Sequence, residues 1–116
     1  MPGKPTKKSS NAKSRISKAR LAAMIEEAMV DAYGESEEIT GWFTVLEEHL
    51  VLPFETRVLG VVVKVGRLDF RGDNDIVAIC TRGGEQQAVR ILDLPLPSPR
   101  PMGAEWIEAY RRWTER

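Results

Sequence analysis

The chain has 116 residues, 42% of them hydrophobic, and 17 Lys+Arg against 17 Asp+Glu, so its formal net charge is zero. That length fits one domain, the apolar content is too high for a disordered chain, and no apolar run approaches the ~18–20 residues of a membrane span. A single cysteine, Cys80, excludes an internal disulfide and a thiolate zinc cluster, and a basic N-terminus without the apolar stretch of a secretory signal leads us to expect a cytoplasmic protein.

Overall neutrality hides a split along the chain. The first twenty residues hold Lys4, Lys7, Lys8, Lys13, Arg15, Lys18 and Arg20 and no acid, which leaves a net charge of −7 from Leu21 onward. Residues 1–20 read as a basic, disordered arm and residues 21–116 as a single acidic domain.

A helical period emerges at about Ser14, with Ile16, Leu21, Met24, Ile25, Ala28, Met29 and Ala32 on one face. Gly34 is a plausible stop, because glycine accepts the left-handed conformation that ends helices. Ser36 can cap a second helix with Glu37 and Glu38 in its first turn. That helix buries Ile39, Trp42, Phe43, Leu46 and Leu50 and ends before Pro53. The period then changes to that of strands. Thr56–Leu59 and Val61–Phe70 are rich in β-branched residues, with Gly60 and Gly66 as bends or bulges. Residues 71–75 form a polar turn, Ile76–Arg82 a third strand, Gly83-Gly84 a hairpin and Glu85–Leu92 a fourth strand. The proline-rich stretch 94–101 cannot continue a sheet and is expected to lie extended over the surface. A last helix, Ala104–Glu115, puts Trp106, Ile107, Tyr110 and Trp113 on one face. The fold class expected from this order is α+β: two N-terminal helices, a small curved antiparallel sheet or partial barrel of about four strands, and a C-terminal helix.

Little in the chain suggests catalysis. The only histidine, His49, lies beside Glu47 and Glu48 near a helix end, where a surface or interface role is the simpler reading. Cys80 sits in an apolar strand run and reads as a small buried hydrophobe. Glycines that could cradle phosphate are absent, since Gly83-Gly84 belongs to a hairpin and Gly60 to a bend. Trp42, Phe43, Trp106, Tyr110 and Trp113 recur at helical spacing, so they read as packing rather than as a base-stacking platform.

The acids are more suggestive. Asp69, Asp73 and Asp75 surround a turn that also holds Gly72 and Asn74. Calcium takes six to eight oxygens from carboxylates, amides, backbone carbonyls and water, and this loop could supply several. It is not an EF-hand loop: with Asp69 at the first ligand position, Arg71 and Cys80 would occupy ligand positions. The same residues are also what any β-turn favours, so a plain turn stays open beside a metal site. A second group, Asp31, Glu35, Glu37 and Glu38, brackets the junction of the two helices, where capping and the helix dipole offer the alternative.

Several ordered strings carry a family resemblance: VDAYG, TGW, LPFE, VAIC, LDLPLP and EWIEAYR, spread from about Ile25 to Trp113. In these the chain resembles the CcbP-type family of small bacterial calcium-binding proteins. The resemblance implies a soluble, non-catalytic, non-EF-hand protein that binds Ca²⁺, as buffer or sensor, through loop carboxylates and backbone oxygens. On this reading Asp69, Asp73, Asn74 and Asp75 are the candidate ligands, with Asp31, Glu35, Glu37 and Glu38 as a second, weaker site.

The alternative is a small β-domain adaptor that binds nucleic acid or an acidic partner through Lys7, Lys8, Lys13, Arg15, Lys18 and Arg20, in which phosphate contacts would be strongly salt-dependent. Deleting residues 1–20 separates the two. Calcium binding measured by calorimetry should survive the deletion, and any nucleic-acid retention should vanish.

Overall fold

The computed structural model describes residues 16–72 and 74–115. Its first helix, α1 (Lys18–Met29), starts where the Ser17 side chain accepts the Arg20 backbone N–H at 3.1 Å, which satisfies one of the donors a helix start leaves free. It stops three residues earlier than its apolar period. Asp31 adopts φ 67°, and the left-handed backbone just past Val30 ends the helix before Ala32 can join it.

The second helix, α2 (Glu35–His49), is capped by Gly34 at φ 114° rather than by Ser36. Ser36 instead lies inside the first turn, where its backbone carbonyl accepts from the Thr40 hydroxyl at 3.0 Å. Ile39, Trp42, Val45 and Leu46 are buried on α2, and Leu50 just beyond it. Phe43 is only half-buried and stacks on Phe70, with ring centroids 4.3 Å apart.

Four strands follow as a meander: β1 (Phe54–Val58), β2 (Val61–Arg71), β3 (Asp75–Arg82) and β4 (Glu85–Arg90), in spatial order β1-β2-β3-β4 with every neighbour antiparallel. The register shifts between Val65 and Arg67, a bulge at Gly66. The expected fourth strand ends two residues early, because Ile91–Asp93 turn into a short 3-10 segment that buries Ile91. The sheet remains open, since β1 and β4 do not pair with each other.

One face of this sheet carries the core. Val63, Val65, Leu68, Ile76, Ala78 and Cys80 point from β2 and β3 toward α1, α2 and the last helix, α3 (Glu105–Thr114). Trp42 is fully buried at the centre. Its ring lies 5.4 Å from that of Tyr110 and 5.9 Å from that of Trp113, tilted by 48° and 45°, in the range where aromatic pairs attract. The proline-rich segment runs past β1 as expected, and the Thr56 hydroxyl donates to the Pro95 carbonyl at 2.6 Å.

Close approach of α1 to α2 depends on Gly41. A Cβ there would lie 2.5 Å from the Ala28 carbonyl oxygen, a backbone atom that cannot swing aside. Gly41→Ala should therefore cost about 1–3 kcal/mol of stability through overpacking. That loss would lower the thermal midpoint by roughly 4–8 °C per kcal/mol for a domain of this size. Circular dichroism melting checks it, and an unchanged midpoint would mean the helices part freely.

Candidate metal site

The acidic turn joins β2 to β3, with Arg71 opposite Asp75 and Asp69 opposite Val77. That register puts Asp69 and Asp75 on the sheet face away from the helices. Both are engaged. Asp69 Oδ1 accepts the Phe70 backbone N–H at 2.8 Å and its Oδ2 accepts from Arg67 at 3.0 Å. These two contacts, the backbone one first, hold its carboxyl below the usual carboxylate range. Asp75 Oδ1 accepts the Ile76 N–H at 3.1 Å, and its Oδ2 accepts from Arg90 Nε at 2.9 Å. A cation there would compete with two guanidinium groups. Asp73 lies outside the described residues, as do Lys7, Lys8, Lys13 and Arg15 of the arm. Lys18 and Arg20 form the exposed first turn of α1.

The second acidic group divides in two. Asp31 supplies the left-handed residue after α1, and Glu37 accepts the Tyr33 backbone N–H at 2.7 Å. Both are occupied with ending one helix and starting the next, and they border a shallow depression with Thr40 and Gly41. Glu35 and Glu38 line a different space, a cleft of about 420 Å³ whose other walls are Asn74, Ile39, Tyr110, Trp113 and Thr114. The structure therefore joins what the chain order separates. The start of α2 and the β2–β3 turn meet across one cleft, 36 positions apart in sequence between Glu38 and Asn74.

The residues that line this cleft carry hard oxygens: two glutamates, one asparagine, the buried Tyr110, and Thr114, whose hydroxyl donates to the Arg111 carbonyl at 2.8 Å. Such a set suits Ca²⁺ and does not suit zinc or copper, which favour nitrogen and sulfur. Among the described residues no three of His, Cys, Asp and Glu converge tightly enough to enclose a metal by themselves. The described donors can thus form part of a calcium shell, which water and the remaining turn residues would have to complete. Sequence reasoning paired the acids by proximity in the chain and missed Tyr110 and Thr114, whose helical spacing marked only a buried face.

Other titratable groups serve packing. Burial pushes the Cys80 thiol up, as expected for a buried hydrophobe. His49 is exposed, as its reading as a surface or interface residue expects, and its ring stacks on that of Trp106 with centroids 4.7 Å apart.

Comparison with known proteins agrees with this donor chemistry. A family model described as calcium binding, that of CcbP, matches residues 22–114, so the chain belongs to the CcbP family. Its fold is similar to that in the crystal structure of Anabaena CcbP, with a TM-score of 0.67 and 19% identity over 90% of this chain and 97% of that one. No curated protein matches the chain. No helix among the described residues is long and apolar enough to cross a membrane.

Tyr110 provides a spectroscopic handle on the cleft. Burial first, and the Asp75 carboxylate second, push its phenol above the usual value of 10.0, with Arg90 opposing. An unfolded tyrosine releases its proton first, so this group's contribution to stability is complete below about pH 10 and is lost as pH rises above it. Phenolate absorbance should show a late alkaline step that Tyr110→Phe removes. A titration without a late step would place the phenol in contact with water.

Proposed function

We propose that this member of the CcbP family holds one Ca²⁺ in the cleft between the start of α2 and the β2–β3 turn, as a buffer rather than as a shape-changing sensor. The observation that supports this reading is the convergence of Glu35 and Glu38 with Asn74 on one cleft. Asp73, next to Asn74 in sequence, is the natural further carboxylate. Asp69 and Asp75 act differently: by engaging Arg67 and Arg90 they keep those guanidinium groups on the far face of the sheet.

Two opposing effects meet at the start of α2. The positive end of a helix dipole disfavours a cation by roughly 0.3–1 kcal/mol. A single carboxylate attracts a unit positive charge by about 4 kcal/mol at 4 Å and an effective dielectric near 20. Two glutamates in the first turn therefore outweigh the dipole. Buffering is favoured over switching because both helical walls of the cleft are already fixed by the core, through Ile39 of α2 and Tyr110 and Trp113 of α3. An opening device needs a second arrangement of packed helices to move into, whereas here the ion adds a bridge across a gap. With few carboxylates and an exposed rim, affinity should fall at about 10⁻⁶ to 10⁻³ M, with Mg²⁺ competing poorly because it requires a tight octahedron.

Calcium titration followed by calorimetry and amide NMR tests the reading. Saturable binding should move the signals of Glu35, Glu38 and Asn74 and leave most of the helical layer in place. A Glu35→Gln/Glu38→Gln variant should bind at least about tenfold more weakly, while Asp69→Asn should bind like the parent. Absence of heat and shifts at millimolar Ca²⁺ would refute calcium binding, and loss of binding in Asp69→Asn alone would move the site to the far face. Shifts spread through all three helices would refute the buffer.

A further inference from the structure

The helix-free face of the sheet has a composition that the acidic domain as a whole does not suggest. Strand register assigns Arg57, Lys64, Arg67, Arg71 and Arg90 to it, together with Glu55, Asp69 and Asp75. By contrast α2 carries five glutamates and no lysine or arginine. Two of the three acids on the sheet face are already held by Arg67 and Arg90. Among the described residues no ion pair holds Arg57, Lys64 or Arg71, and all three are exposed. Net positive charge therefore concentrates on one face of a domain that is otherwise acidic.

Between these cations lie Ile79 on β3 and Ala88 on β4, half-buried apolar residues outside the core cluster on the other side, next to Val77, which is itself fully buried. Toward β1 lies a groove of about 390 Å³ walled by Val62, Arg57 and the carboxylate-bearing Glu55, the register partner of Lys64, on the sheet and by Pro95, Leu96 and Pro97 on the proline-rich segment. The groove lies along β1, an edge strand, and among the described residues the segment beside it makes no backbone–backbone hydrogen bond to that strand, its one link being the Thr56 hydroxyl on the Pro95 carbonyl.

We infer that this face docks an acidic protein segment, with an apolar side chain of the partner in the groove and its carboxylates on Arg57 and Lys64. Charge complementarity selects the sign of the partner. An apolar centre rimmed by charge is the anatomy of a protein–protein contact. Single-stranded nucleic acid fits less well, because it uses aromatic platforms for its bases. The two aromatic strand residues, Phe54 and Phe70, point to the helix side, where Phe54 packs on the core and Phe70 stacks on Phe43. This inference does not depend on where calcium binds.

The test uses the full chain, labelled for amide NMR, and three probes: a random copolymer of glutamate and tyrosine, polyglutamate, and oligothymidylate. The copolymer should shift Arg57, Val62, Lys64 and Leu96 and bind at least about tenfold tighter than polyglutamate. Arg57→Gln/Lys64→Gln should weaken it by about tenfold, and Val62→Thr, which keeps the β-branched shape, should erase the preference over polyglutamate. Lys7→Gln/Lys8→Gln/Lys13→Gln should leave these shifts unchanged. The inference fails if the copolymer does not move these four residues, if the arm variant abolishes the shifts, or if oligothymidylate binds the same residues as tightly.

Discussion

The burial of Trp42 between the sheet and α3 is the contact on which the rest of the molecule depends. Complete removal of an indole from water is worth roughly 4–6 kcal/mol, from about 150–250 Å² at about 25 cal/mol per Å². Among the described residues its Nε1 is the buried side-chain polar atom without a hydrogen-bond partner, at a cost of roughly 1–3 kcal/mol. Apolar burial outweighs that loss, and the tilted rings of Tyr110 and Trp113 fill the space around the indole. Because Trp42 sits two turns into α2, fixing it also fixes where that helix begins. Its first turn is thereby set beside the hairpin between β2 and β3, and the cleft follows from the packing of one side chain.

Charge is distributed in a second pattern, independent of the N-terminal arm. Acids are favoured near helix starts, and α2, unlike α1, places Glu35, Glu37 and Glu38 there. The exposed sheet face instead pairs arginine with aspartate along and between strands, with cations in excess. These local preferences separate positive from negative across the thickness of the domain. One surface thus carries an excess of carboxylates and another an excess of cations, within a chain whose formal charge is zero.

Much of the fold is legible in the sequence because burial imposes period. The face Trp106, Ile107, Tyr110 and Trp113 reads directly as α3, and all four are buried. The bulge at Gly66 and the hairpin at Gly83-Gly84 are likewise written in local chemistry. Helix ends are less legible. Ser36 has the right chemistry for a cap, but Gly34 takes that place because the turn out of α1 demands a positive φ there. The end of β4 at Arg90 depends on Ile91 finding the core, which no local signal encodes.

What the sequence determined alone was the element order, the apolar faces, the family strings and the presence of acids with calcium-compatible chemistry. These are properties of neighbours in the chain, where period and turn preference act. Which acids share a space was decided only by the tertiary structure. Packing of α2 and α3 brings Glu35 and Glu38 to Asn74, while the pleat of β2 and β3 turns Asp69 and Asp75 to the other face and onto arginines. Side chains two apart on a strand share a face, and those one apart do not. The side of the sheet that each face meets is set by the core, not by the turn itself.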